Sequence, residues 1–201
     1  METIKKKEKN EIITVPNIIS ISRLVLSPVL LLFILSGKTF EALIIFIVAV
    51  STDFFDGAIA RIFKQKSNLG ALLDPMGDKV LMTISFIALS IPSINTPNVI
   101  PIWLTVTVIG RDIYIVLGAV LAFKLISRKK FPPTITGKMS TVFQMATPLS
   151  ILFFNIWKIE SRFLSLLFVL TFITTIISGI HYTSIGMKWL KESKPRNKNE
   201  K

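Results

Sequence analysis

Apolar residues run along most of this chain in long blocks rather than alternating with polar ones, and short charged or proline-bearing stretches separate the blocks. A bilayer crossing takes about 20 residues. Six blocks meet that length, at roughly 18–36, 40–62, 76–95, 99–125, 139–157 and 163–187. The pattern predicts an all-α integral membrane protein with six transmembrane helices. They form one domain over 18–187, between a short segment at 1–17 and a basic tail at 188–201, which leaves no room for a soluble domain of any size.

Composition agrees, with 51% apolar residues and a mean hydropathy of +0.62, values that belong to membrane proteins. The first sixteen residues are charged and polar, and no small-residue cleavage site follows the first apolar block. Residues 18–36 are therefore expected to stay as a helix rather than leave as a signal peptide. Cysteine is absent, which excludes disulfides and thiolate metal ligands.

The net charge of +12 sets the predicted orientation, because Lys and Arg accumulate in cytoplasmic loops. Eighteen of the 24 basic residues fall in 1–17, 61–69, 124–138 and the tail from Lys188. The other loops carry only Lys38, Lys158 and Arg162, so both termini are predicted to be cytoplasmic. Anchoring against anionic lipid head groups accounts for the basic ends without invoking nucleic acid. Trp103, Trp157 and Trp189 fall near predicted helix ends, where an interfacial aromatic belt places them.

Against this background the charges inside the blocks are conspicuous. The second block ends in Asp53-Phe-Phe-Asp56-Gly57-Ala-Ile-Ala60-Arg61, and the next opens with Gly70-Ala-Leu-Leu-Asp74-Pro-Met-Gly77-Asp78. Positions 53, 56, 57, 60 and 61 share one helical face, and 70, 74 and 78 form a second stripe. An Asp at the centre of a membrane helix costs about 2.5–3.5 kcal/mol, so four carboxylates need compensation. Oxygen ligands without His or Cys suit Mg²⁺ or Mn²⁺. Arg23, Arg111 in the inner half of the fourth block, and Lys138 at the start of the fifth are expected on the same leaflet. Gly57 and Ala60, one turn apart, have a plain alternative in helix packing, and Arg61 has one in snorkelling to the interface.

Taken together, Asp53-x2-Asp56-Gly57-x2-Ala60-Arg61-x8-Gly70-x3-Asp74-x3-Asp78 resembles, at every defined position, the signature of the CDP-alcohol phosphatidyltransferase family. Pro16-Asn17 with Arg23 is similar to the family's entry into its first helix. Gly110-Arg111-Asp112 and Thr136-Gly137-Lys138 resemble later elements of its phosphatidylglycerophosphate synthase and CMP-forming cardiolipin synthase branches. Gly77 departs from the Ala common there; it can loosen the helix but removes no ligand.

The resemblance implies a six-helix homodimer using two Mg²⁺ or Mn²⁺ ions, with no nucleic-acid partner. It is expected in the bacterial inner (cell) membrane with its active site toward the cytoplasm. It implies that Asp53, Asp56, Asp74 and Asp78 hold the metal, that Gly57, Ala60, Arg61 and Gly70 seat the cytidine diphosphate of CDP-diacylglycerol, and that Asp78 is the general base. Arg111, Lys138 and Arg23 then read as a cationic pocket for an anionic acceptor. Glycerol 3-phosphate is the simplest candidate, and phosphatidylglycerol the alternative. A cation transporter also places carboxylates in the membrane, but its polar groups would reach both leaflets. An intramembrane prenyltransferase would space its Asp residues differently. His181, the one histidine, reads as structural or solvated, and Phe131-Pro132-Pro133-Thr134 as a turn.

Overall fold

The computed structural model describes the backbone of residues 15–63, 70–92, 96–126 and 134–193, and the side chains of 21–52, 77–92, 96–121 and 134–189. Six helices follow in order: α1 Val15–Leu35, α2 Thr39–Phe63, α3 Gly70–Leu89, α4 Ile102–Ile126, α5 Ile135–Ile156 and α6 Arg162–Ser193. No strand occurs among the described residues. Each apolar block has its helix. The third is displaced, beginning at Gly70 rather than near 76 and ending at Leu89. The helical backbone runs from Gly70 through Asp74 and Pro75 and through a buried Gly77, as the stripe at 70, 74 and 78 requires.

Among the described residues three segments are long and apolar enough to cross a membrane, Ile102–Leu121, Ile135–Ile156 and Arg162–Trp189. The described side chains of α1 and α2 add shorter apolar stretches, Ile21–Leu35 and Thr39–Thr52. Side chains are distributed as an apolar solvent demands. Leu32, Val106, Val142 and Ile180 face outward, while Arg23, Ser27, Ser85, Gln144, Thr147 and Thr175 are buried. Where lipid tails are as apolar as leucine, helices associate through close packing and interhelical hydrogen bonds rather than by expelling water. The chain is an integral membrane protein.

The helices form two compact units, divided within α3 between Ser85 and Phe86. In the first, α1 packs against α2 through a tight reversal. Gly37 adopts a positive φ of 71°, its N–H donates to the Ile34 carbonyl at 3.0 Å, and the Lys38 N–H donates to Phe33 at 2.9 Å. This pair of bonds satisfies the last carbonyls of α1 and requires a left-handed residue, the conformation glycine adopts freely. Lys38 then lies over the Phe33 ring. Leu30, Ile34, Ala42, Phe46 and Ala49 are buried in this unit.

In the second unit α6 packs against both α4 and α5. The turn from α3 to α4 is held by an Asn98–Asn155 exchange. Asn155 Oδ1 accepts from Asn98 N and Nδ2, and Asn155 Nδ2 donates to the Asn98 carbonyl, all at 2.9 Å. Thr134 caps α5, its Oγ1 accepting from the Gly137 N–H at 3.0 Å, a standard way to satisfy a first-turn donor. Downstream, α5 and α6 meet along a buried polar seam. Gln144 Nε2 donates to Ser140 Oγ at 3.1 Å and to Thr175 Oγ1 at 3.3 Å, and the Thr147 and Thr171 hydroxyls are 2.8 Å apart. The turn ahead of Pro148, whose ring removes a backbone donor, carries two side-chain donors, Thr147 and Thr171, on the Phe143 carbonyl.

Candidate active site

The backbone of α2 is helical through 53–61 and that of α3 through 70–78. Asp53, Asp56, Gly57, Ala60 and Arg61 therefore share one face of α2, and Gly70, Asp74 and Asp78 lie one turn apart on α3. The side chains of Asp53, Asp56, Ala60, Arg61 and Asp74, together with the surroundings of Gly57 and Gly70, lie outside the described residues. What the structure adds for them is this register. An all-carboxylate set at helical spacing fits a hard divalent cation, which takes oxygen ligands.

Asp78 is described, and its neighbour is informative. Arg23 Nη1 donates to Asp78 Oδ1. The Arg23 side chain is 1% exposed and that of Asp78 is 36% exposed, so the pair joins a fully enclosed guanidinium to a partly exposed carboxylate. The backbone of Arg23 is braced as well, its carbonyl accepting from Ser27 Oγ at 2.8 Å. Arg23 thus engages the carboxylate that the family resemblance makes the general base.

The other two cations belong to the second unit. Arg111 is nine residues from the start of α4 and fifteen from its end. Its side chain is 10% exposed, Nη1 donates to Asp112 Oδ1 at 2.7 Å, and Nη2 donates to Ser178 Oγ. Nε is buried with no hydrogen-bond partner among the described residues. The guanidinium carbon lies 5.8 Å from the centroid of the Tyr182 ring.

Lys138 is exposed in the first turn of α5, its N–H donating to the Thr134 carbonyl at 3.0 Å. Two residues before it, Thr136 Oγ1 is 2.9 Å from His181 Nδ1, which gives the exposed histidine a structural partner. Tyr182 is thus the residue that sequence reasoning missed. It lies between Arg111 and the Thr136-Gly137-Lys138 turn, touching elements far apart in the chain. A signal for it existed, because Thr171, Thr175, Ser178 and Tyr182 repeat at i, i+4, i+7 and i+11 within an apolar run, the period of one polar helical stripe.

Known proteins are similar to this chain over most of its length. A protein of Aquifex aeolicus named CDP-diacylglycerol--glycerol-3-phosphate 3-phosphatidyltransferase is 34% identical over 88% of this chain and 97% of its own length. A protein of the same name from Escherichia coli K12 is 32% identical over 85% of this chain and 93% of its own. The CMP-forming cardiolipin synthase of Rattus norvegicus is 32% identical over 87% of this chain, which spans 62% of the rat protein. The family model described as CDP-alcohol phosphatidyltransferase matches residues 13–179, from the entry to α1 into α6. With the motif intact on α2 and α3 and the match extending through five helices into the sixth, the chain belongs to the CDP-alcohol phosphatidyltransferase family.

Proposed function

We propose that this protein transfers a phosphatidyl group from CDP-diacylglycerol to glycerol 3-phosphate, releasing CMP and forming phosphatidylglycerol phosphate. The observation that carries this reading is the near end-to-end match to a relative named for that reaction, 97% of whose length is covered. In the transfer, the acceptor hydroxyl oxygen bonds to the phosphorus that carries diacylglycerol. The phosphoanhydride bond to CMP breaks, and the hydroxyl proton passes to Asp78.

Asp53, Asp56, Asp74 and Asp78 would hold Mg²⁺ or Mn²⁺, two ions by family resemblance. Bound there, the cations would neutralise the diphosphate and the charge developing on the leaving group. Gly57, Ala60, Arg61 and Gly70 seat the cytidine end of the donor. Arg23, buried against Asp78, orients that carboxylate. Arg111 and Lys138 bind the acceptor's phosphate, Arg through paired donors and Lys as a mobile point charge. The protein works as a homodimer in a bacterial inner membrane, both termini and the active site facing the cytoplasm, where the basic segments cluster.

A second reading has its own support. The rat cardiolipin synthase is 32% identical over most of this chain, and the same two cations would hold the phosphodiester of phosphatidylglycerol. Purified protein supplied with CDP-diacylglycerol and labelled glycerol 3-phosphate, phosphatidylglycerol, inositol phosphate or serine decides between them. Product with glycerol 3-phosphate alone supports the first reading, and product with phosphatidylglycerol alone replaces it with the second.

A further inference from the structure

We propose that Tyr182 on α6 is a positioning residue for the acceptor's phosphate, holding Arg111 of α4 and the Thr136-Gly137-Lys138 turn of α5 at a set separation. The inference rests on the reading that Arg111 and Lys138 bind that phosphate. It adds how two cations on different helices come to act together.

The connection runs through α6, which packs against both α4 and α5. On one side the Tyr182 ring lies under the Arg111 guanidinium, 5.8 Å from centroid to carbon, within the range of a cation–π contact. Ser178, one turn earlier on the same helix, accepts from Nη2, and Asp112 takes Nη1 at 2.7 Å. The guanidinium is held at three points, with Nε left over as a buried donor.

On the other side Tyr182 abuts Gly137. A Cβ built on Gly137 would lie 3.0 Å from the Tyr182 hydroxyl oxygen, 3.3 Å from Cε2 and 2.9 Å from the capping oxygen of Thr134. Glycine is a poor helix former and Gly137 sits in ordinary helix, so the close approach of the Thr134 cap and of Tyr182 together accounts for a glycine there. Lys138 follows directly. Latches flank the tyrosine on both sides, Tyr114 Oη to Thr183 Oγ1 at 2.9 Å toward α4 and Thr136 Oγ1 to His181 Nδ1 at 2.9 Å toward α5. The ring is therefore a spacer, touching the cation on one side and the lysine-bearing turn on the other.

Steady-state kinetics of the purified full-length enzyme, with each substrate varied in turn, tests this. Tyr182→Leu removes the ring and is expected to raise the acceptor KM roughly fivefold to thirtyfold, the worth of a desolvated cation–π contact, leaving the CDP-diacylglycerol KM unchanged. Tyr182→Phe keeps the ring and is expected to restore the acceptor KM to within about twofold of the native value, a rescue that loss of folding would not show. Gly137→Ala is expected to raise the acceptor KM by crowding the hydroxyl, and adding Tyr182→Phe to recover part of it, a coupling that only contacting residues display. An unchanged acceptor KM in Tyr182→Leu, or equal movement of both KM values, overturns the inference. Arg111→Ala tests the underlying reading separately: if it shifts the acceptor KM while Tyr182→Leu does not, only the positioning role fails. If wild type turns over phosphatidylglycerol and not glycerol 3-phosphate, the same KM split is read with that lipid, which also carries a phosphate.

Discussion

Replacing Arg23 with methionine keeps an unbranched stem in the buried site and removes the guanidinium from Asp78. Breaking a fully buried ion pair costs about 3–5 kcal/mol. The Asp78 side chain is 36% exposed, so solvent recovers part of that, and the loss of a charge-assisted hydrogen bond, about 1.5–3 kcal/mol, is the better measure. If the lost orientation is felt in the transition state, kcat falls roughly tenfold to a hundredfold, and the acceptor KM stays where it was. The assay is CMP release at saturating CDP-diacylglycerol with the acceptor varied, for Arg23→Met, Asp78→Asn and the double variant. Because Arg23 acts through Asp78, the double variant is expected to be no slower than Asp78→Asn alone. Multiplying defects, or a raised acceptor KM with kcat intact, would show instead that Arg23 grips the acceptor and that its pairing with Asp78 is incidental to turnover.

Asp56→Asn is expected to remove nearly all activity while the protein still elutes and unfolds like wild type, with the same loss on adding a chelator to wild type; turnover in either case refutes the metal assignment. Arg111→Ala should raise the acceptor KM, with kcat/KM falling about tenfold to a hundredfold for one charge-assisted contact, and donor kinetics that shift instead would reverse the assignment. Reporters fused at Met1 and Lys201 should both register cytoplasm, and an external signal from either breaks the proposed orientation. Lys158, the residue after the Trp157 cap of α5, has a positive φ of 52° and its N–H donates to the Asn155 carbonyl at 3.3 Å, a position that suits glycine. Lys158→Gly is therefore expected to raise the unfolding temperature in detergent by relieving about 1 kcal/mol of backbone strain, and a lowered temperature would refute the strain.

Much of the architecture was legible because membrane helices need long apolar runs, and nothing else in this chain makes them. The motif was legible for the opposite reason, since carboxylates inside such runs are expensive and their spacing survives as a pattern. Hydropathy failed where polarity and helicity part company. The apolar block alone begins near 76, six residues after α3 does, because Asp74 and Pro75 lower the hydropathy of turns that the stripe at 70, 74 and 78 already marks as helical. Hydropathy also could not foresee partners. Arg23 and Asp78 are 55 residues apart in the chain, and Arg111 finds Ser178 across 67. Tyr182 went unnoticed because a lone tyrosine in an apolar helix is ordinary until its neighbours are known.

The seam between α5 and α6 is built from side chains that each keep a partner on their own helix. Thr147 and Thr171 touch each other, yet each hydroxyl also has a carbonyl on its own helix, Phe143 at 2.9 Å and Leu167 at 2.8 Å. Parting them leaves each with that intrahelical bond, so this contact resists displacement weakly. Gln144 behaves alike: its amide nitrogen reaches Ser140 on its own helix at 3.1 Å and Thr175 across the seam at 3.3 Å, and sliding α6 by a single turn would bring Thr171 or Ser178 toward it in place of Thr175. The seam thus fixes which faces of the two helices meet rather than how far one is threaded past the other, and the depth at which the tyrosine ring meets the lysine-bearing turn is left to the contacts around that turn, Thr136 with His181 and Gly137 with Tyr182.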